Sequence, residues 1–159
     1  MPLPANPSIP PGLPIGPGTY ALIFRLSGAA DLPIGRLGTF AFTSGWYAYV
    51  GSAHGPGGLR ARLSRHLRAG KKCHWHIDWL TAHMPPTAIW LFASRERLEC
   101  RWARTLAALE GTEEPVWGFG ASDCPCPTHL FRLAAGSLNA AWLSLGQPAR
   151  FPAHGWPDG

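Results

Sequence analysis

The spacing of apolar residues changes at Gly58, and this change restricts the chain to folds that combine a sheet with helices. Before Gly58, residues 19–26 and two short runs within 38–53 are rich in strand-forming residues. After it, leucines recur every four residues, as on one face of a helix, and the pattern ends at Gly70. The sequence therefore predicts a small sheet followed by a helix over 58–69.

The second half of the chain continues with alternating helical and strand patterns. Residues 74–83 predict a short helix stopped by two prolines, and residues 87–93 predict a strand. Ser94 is suited to cap a helix over 95–109, and a turn-rich loop then leads into a final strand. We therefore expect an α+β fold.

Length and composition predict one folded domain with unstructured ends. The chain has 159 residues, and its 46% of apolar residues is ample for a packed core. The proline and glycine content of residues 1–17 predicts a disordered arm, which leaves 18–135 as the domain and 136–159 as a C-terminal tail. Neither a membrane span nor a secretory signal is evident, so we expect a cytoplasmic protein without a membrane partner.

Positive charge is concentrated in one part of the chain. No Asp or Glu lies between Asp31 and Asp78, yet this interval holds half of the 14 Lys and Arg residues. A patch of one sign favours a polyanionic partner, because binding releases condensed counterions. A solvated helix face without function is the alternative that charge alone leaves open.

The glycine-rich segment 51–58 does not have the pattern of a nucleotide-binding loop. A P-loop needs a Lys and then a Ser or Thr after its last glycine, whereas Leu59 and Arg60 follow Gly58. The fixed three-glycine pattern of a dinucleotide site is also missing. The segment is therefore interpreted as a turn from a strand into a helix.

The order of several short motifs resembles the GIY-YIG endonuclease superfamily. These motifs are "GTY" at 18–20, "YVG" at 49–51, "GLRARLSRH" at 58–66, "HWHID" at 74–78 and "GFGASDCPCPTHLF" at 118–131. The last two are similar to the Uri-type branch. The resemblance covers about residues 18–133 and implies a small three-stranded mixed sheet flanked by helices, with an additional cysteine-containing loop and strand at the C-terminal side.

The resemblance also implies catalytic residues, which are Tyr20, Tyr49, Arg62, His66 and Glu99. Glu99 would hold Mg²⁺ or Mn²⁺, and Arg62 would bind the phosphate. Tyr49 would act as the general base with help from Tyr20 or His66. The chemistry implied is metal-dependent hydrolysis of DNA, single-stranded or branched, in a repair-type role.

Further basic and aromatic residues are expected to bind the nucleic acid; they are Arg60, Arg65, Arg68, Lys71, Lys72, His74 and Trp75. Because "HGPG" lengthens the loop before the helix, Arg60 and Arg65 stay alternatives to Arg62 for the scissile phosphate. RNA stays an alternative substrate. An inactive nucleic-acid-binding module of the same fold is the second hypothesis for function.

A second cluster of reactive residues lies towards the C-terminus. Cys100, Cys124, Cys126 and His129 offer the thiolate and imidazole ligands of a tetrahedral zinc site, although the C-x-C spacing is tighter than usual. Loop thiols without a metal are the alternative. A zinc-bearing interaction domain without catalysis is the third hypothesis.

Overall fold

One antiparallel sheet organises the fold. The computed structural model describes residues 10–121 and 124–153, and these form seven strands and four α-helices. The elements are β1 (Gly18–Leu26), β2 (Ala30–Ile34), β3 (Gly38–Phe42), β4 (Gly45–Ala53), α1 (Gly58–Leu67), α2 (His76–His83), β5 (Ala88–Ala93), α3 (Glu99–Ala107), β6 (Leu130–Leu133), α4 (Leu138–Ser144) and β7 (Ala149–Pro152). Within the described residues, no helix is both long and apolar enough to cross a membrane.

The α+β class is confirmed, but the three-stranded mixed sheet is wrong. The main sheet has five strands in the order β6-β4-β1-β5-β7, and all of its neighbouring strands are antiparallel. The three central strands are extended by β6 on one edge and β7 on the other. Strands β2 and β3 form a separate two-stranded sheet.

Alternation along β1 divides the core between the two faces of the sheet. Tyr20, Leu22 and Phe24 belong to the core on the side of α1 and α2. Ala21 and Ile23 point the other way, into the core that α3 and α4 cover. A strand buried on both faces gives the nearly continuous apolar run seen at 19–26.

The structure differs from the sequence predictions at three places. The tail expected from residue 136 is structured as far as 152, where α4 covers one face and β7 pairs with β5. Helix α3 begins at Glu99, because the Ser94 hydroxyl accepts a hydrogen bond from Glu96 N in a turn that precedes the helix. Of the arm expected to be disordered, residues 1–9 lie outside the described residues, and Leu13 is buried in the core.

Gly51 allows the Tyr20 ring to lie across β4. The two residues are direct partners in the β1–β4 register. A Cβ atom at position 51 would lie 2.5 Å from the Tyr20 hydroxyl. The glycine of "YVG" is therefore required by packing.

Gly51→Ala should lower the free energy of unfolding by about 1–3 kcal/mol, because the added methyl overpacks a rigid part of the core. Gly55→Ala is the matched control, since no atom lies within 4 Å of a Cβ built there. Urea unfolding of both variants measures the difference. Equal stability of the two variants would show that the Tyr20 ring can move aside without lowering the free energy of unfolding.

Candidate functional site

A cleft of about 560 Å³ opens where β4 ends, between α1 and the first turns of α2 and α3. Its walls include Tyr49, Ser52, Arg62, Trp75, Glu99 and His129. Residues from both faces of the sheet meet here, because the cleft lies beyond the strand end.

The two motif tyrosines and His66 form a buried group behind the cleft. Tyr20 Oη and His66 Nε2 share a hydrogen bond of 2.6 Å, and the Tyr49 ring lies edge-on to the His66 ring. Tyr20 is 0% exposed and His66 2%, whereas Tyr49 is 9% exposed and lines the cleft. Of these three side chains, Tyr49 is the one positioned to meet a substrate.

Burial dominates the protonation of this group. It raises the pKa of both Tyr20 and Tyr49, against the opposing charge of Arg62. It also lowers the pKa of His66 to about 3, and the neighbouring charge of Arg62 acts in the same direction. All three side chains are therefore neutral near pH 7.

Ser52 connects the expected phosphate-binding arginine to the expected metal-binding carboxylate. Its carbonyl oxygen accepts a hydrogen bond from Arg62 Nη1 at 3.1 Å. Its hydroxyl donates to Glu99 Oε1 at 3.3 Å. Ser52 was not identified from the sequence, because the strand predicted there ended at residue 50, whereas β4 continues to Ala53.

Arg65 is half-buried and is paired with a carboxylate of α2. Its guanidinium donates to both carboxylate oxygens of Asp78, at 2.8 and 2.9 Å. The Asp78 carboxylate also accepts hydrogen bonds from the backbone amides of His74 and Trp75. Burial alone would raise the pKa of Asp78, but Arg65 and these amides lower it to about 2.

Trp75 positions the arginines of α1. The guanidinium carbons of Arg65 and Arg62 lie 4.0 and 4.7 Å from its ring centroid. Both guanidinium groups stack on the indole, so Trp75 orients Arg62, and it also lines the cleft. His74, on the preceding position, is exposed and lines the cleft.

Arg60 binds the N-terminal arm and does not line the cleft. Its guanidinium donates two hydrogen bonds to the carbonyl oxygen of Leu13, at 3.1 and 2.9 Å. Among the three arginines considered for the scissile phosphate, Arg62 is therefore the one that reaches the cleft without a carboxylate or arm partner.

The arm also occupies the start of α1. The amides of Leu59 and Arg60 donate to the carbonyl oxygens of Gly16 and Pro14. Gly58 has φ +59°, and a Cβ there would collide with the carbonyl oxygens of residues 15 and 16. Gly58 thus allows the arm to approach the start of α1 closely. The backbone amides of Leu59 and Arg60 already have partners and are not free to bind a phosphate.

Of the other basic residues expected to bind nucleic acid, one has a structural role and two are exposed. Lys71 Nζ donates to the carbonyl oxygens of His66 and Arg68 at the end of α1, and burial lowers its pKa. Arg68 and Lys72 are exposed.

Besides Ser52, three cleft residues were missed by the sequence interpretation. His54 lines the cleft, and its Nε2 is buried without a partner among the described residues. His76 Nδ1 accepts a hydrogen bond from Gly120 N at 2.9 Å, which joins α2 to the loop after α3. Arg97 lines the cleft next to Glu99. His54 lies within the glycine-rich turn, so its proximity to the "YVG" motif was the available signal.

The cysteine cluster is assembled as expected and adjoins the cleft. Ligand atoms of Cys100, Cys124, Cys126 and His129 all lie within 4.8 Å of one another, so this group could hold a metal ion. His129 Nε2 is 3.1 Å from Cys124 Sγ, and its Nδ1 is 3.1 Å from Glu99 Oε2. Burial, reinforced by the neighbouring thiols, raises the pKa of Cys126 to about 12.

Residues 19–146 match the sequence model described as "Domain of unknown function DUF123". The chain belongs to this family. The DUF123 match extends from β1 to α4 and includes the cleft and the cysteine cluster. No curated protein and no solved structure matches the chain.

Asp78→Asn should lower the free energy of unfolding at pH 7 by about 2 kcal/mol, because the pKa of about 2 lies below the ordinary value of 3.8. A lowered pKa contributes stability that is complete above about pH 4 and is lost as the pH falls towards 2. Urea unfolding between pH 2 and 7 measures both effects.

Asp31→Asn is the control, because Asp31 is exposed on β2. The ion pair would be shown to be unimportant if the Asp78 and Asp31 variants had the same stability at pH 7, or if their difference persisted at pH 2.

Proposed function

We propose that this DUF123 chain is a divalent-metal-dependent DNA endonuclease that acts in the manner of the GIY-YIG superfamily. The observation that carries the proposal is the pairing of Arg62 with Glu99 through Ser52, with Tyr49 on the wall of the same cleft. A fixed guanidinium, a carboxylate and a phenol are the groups that phosphodiester hydrolysis needs.

The donors at the cleft fit a hard divalent cation. The side chain of Glu99 is 27% exposed, so its carboxylate can meet a cation that keeps most of its ligands as water and phosphate oxygens. Glu99 would hold Mg²⁺ or Mn²⁺, which when bound would neutralise phosphate charge and lower the pKa of a coordinated water.

Arg62 is preorganised for a phosphate. Its guanidinium is held by the Ser52 carbonyl oxygen and by the face of Trp75 before any substrate arrives. A planar cation in a fixed position stabilises the negative charge that develops on the non-bridging oxygens, without a cost of reorganisation in the transition state.

Tyr49 lines the same cleft as Arg62 and packs edge-on against His66 of the buried Tyr20–His66 pair. Because burial raises its pKa, Tyr49 is neutral at rest and can act as a base only after losing its own proton. The charge of Arg62 lowers that pKa and favours ionisation. Tyr20 and His66, which are buried, act as positioning residues.

The charge pattern supports a nucleic-acid substrate. Arg68, Lys72 and His74 are exposed between the end of α1 and the cleft, and the Asp78 carboxylate of α2 is paired with Arg65. These side chains provide a path for a phosphate backbone that leads to Arg62. DNA is the substrate proposed, and a parallel RNA assay tests the alternative.

Glu99→Gln and Arg62→Lys should each lower the rate of DNA cleavage by about 100-fold or more, because each removes charge or fixed geometry at the reacting phosphate. Labelled single-stranded, duplex and branched DNA, and RNA, are incubated with Mg²⁺ or Mn²⁺ and with a chelator. Glu96→Gln and Arg104→Lys are the matched controls, since both residues are exposed outside the cleft.

If the wild-type protein binds these nucleic acids but cuts none of them, it is a binding module and the nuclease proposal is wrong. Cleavage that persists at the wild-type rate in the Glu99 and Arg62 variants would also reject the proposed roles.

We also propose that the cysteine cluster binds zinc. Three thiolates and one imidazole are soft to borderline ligands that suit tetrahedral Zn²⁺ and are poor ligands for Mg²⁺. Cys100 belongs to α3 and the other three ligands to the segment before β6, so a bound ion would join two distant parts of the chain. This cross-link explains how the tight C-x-C spacing can serve in a four-ligand site.

Purified protein should contain about one zinc ion per chain by elemental analysis, and a chelator should lower its melting temperature, because metal that binds only the folded state stabilises it. Cys126→Ser should lose most of the zinc. Cys73→Ser should keep it, since Cys73 lies outside the cluster. Absence of zinc after metal-supplemented expression would reject the assignment.

A further inference from the structure

His129 faces two different sites with its two ring nitrogens. Nε2 lies 3.1 Å from Cys124 Sγ and therefore points into the cysteine cluster. Nδ1 lies 3.1 Å from Glu99 Oε2, on the side of the cleft. The ring itself is 1% exposed, so water does not compete for these contacts.

Glu99 is also engaged at both of its oxygens. Oε2 contacts His129, and Oε1 accepts the hydrogen bond from the Ser52 hydroxyl. Glu99 immediately precedes the cluster ligand Cys100 at the start of α3. One carboxylate thus adjoins both the cysteine cluster and the cleft.

We infer that Glu99 is shared between two metal sites, as the carboxylate partner of the zinc ligand His129 and as the cation-binding residue of the cleft. The second role rests on the proposed function, whereas the first depends only on the cysteine cluster. Binding of zinc would thereby control the affinity of the cleft for its divalent cation.

The coupling follows from the chemistry of imidazole. A neutral histidine that binds a metal through Nε2 carries its hydrogen on Nδ1, and a carboxylate that accepts this hydrogen fixes the ring and strengthens the ligand. Here Glu99 Oε2, at 3.1 Å, is the carboxylate oxygen placed to accept this hydrogen, and the buried Nδ1 makes no hydrogen bond to any other group of the described residues. The same contact holds Glu99 in the orientation in which Oε1 meets Ser52 at the cleft, and loss of zinc would remove this restraint.

The first test measures zinc affinity by competition with a chromophoric chelator. Glu99→Ala should bind zinc about 10–100-fold more weakly than the wild type, because removing the partner of a metal-binding histidine has this effect. Glu99→Gln, which keeps an acceptor oxygen, should fall between the two. Glu96→Ala, which removes an exposed carboxylate three residues away, should bind zinc as the wild type does.

The second test uses the unaltered chain, so it does not depend on the folding of a variant. Mn²⁺ binding is measured by electron paramagnetic resonance with zinc-loaded and zinc-free wild type, and circular dichroism verifies that both are folded. Zinc-free protein should bind Mn²⁺ at least several-fold more weakly. Nitrogen-15 NMR of the zinc-loaded protein should show the hydrogen of His129 on Nδ1.

Wild-type zinc affinity in Glu99→Ala, or a hydrogen on Nε2 of His129, would overturn the pairing. Equal Mn²⁺ affinity with and without zinc would overturn the coupling. If zinc affinity changes as expected but the wild type cuts no nucleic acid, the nuclease proposal fails while the partnership of Glu99 with His129 stands.

Discussion

The pairing of β1 with β4 is the constraint on which the rest of the structure depends. Its register places Tyr20 opposite Gly51, so the buried Tyr20–His66 pair can form beneath the strand end. The same alternation sends Ser52 to the opposite face, towards α3. A slip of one residue would exchange these faces and separate Glu99 from Arg62.

Sequence alone predicted the elements that have a strong local pattern. Helix α1 was anticipated because its leucine repeat matches the helical period over its whole length. The edge strands β6 and β7 were not resolved as parts of the main sheet, since strands of four residues depend on a neighbour for their hydrogen bonds. The start of α3 was misplaced because Ser94 forms a local turn.

The residues of the site were likewise predicted where a local motif marks them and missed where their position depends on distant parts of the chain. Tyr49, Arg62 and Glu99 were predicted and do meet at one cleft. The true position of Arg65 could not be read from helical spacing, because it is fixed by Asp78 on another helix. Ser52 was missed for a related reason, since its role depends on two partners that approach from different faces of the sheet.

The approach of the arm to α1 ties two distant stretches of the chain into one unit. The carbonyl oxygens of Pro14 and Gly16 take the place that a capping side chain would fill. The absence of a Cβ at Gly58 leaves room for the arm, since a Cβ there would collide with the carbonyl oxygens of Ile15 and Gly16. Substitutions in the two stretches should therefore have accumulated together during evolution. A homologue that lacks the arm loses these acceptors, and a serine or aspartate at the N-cap position, which is Gly57 in this chain, would replace them.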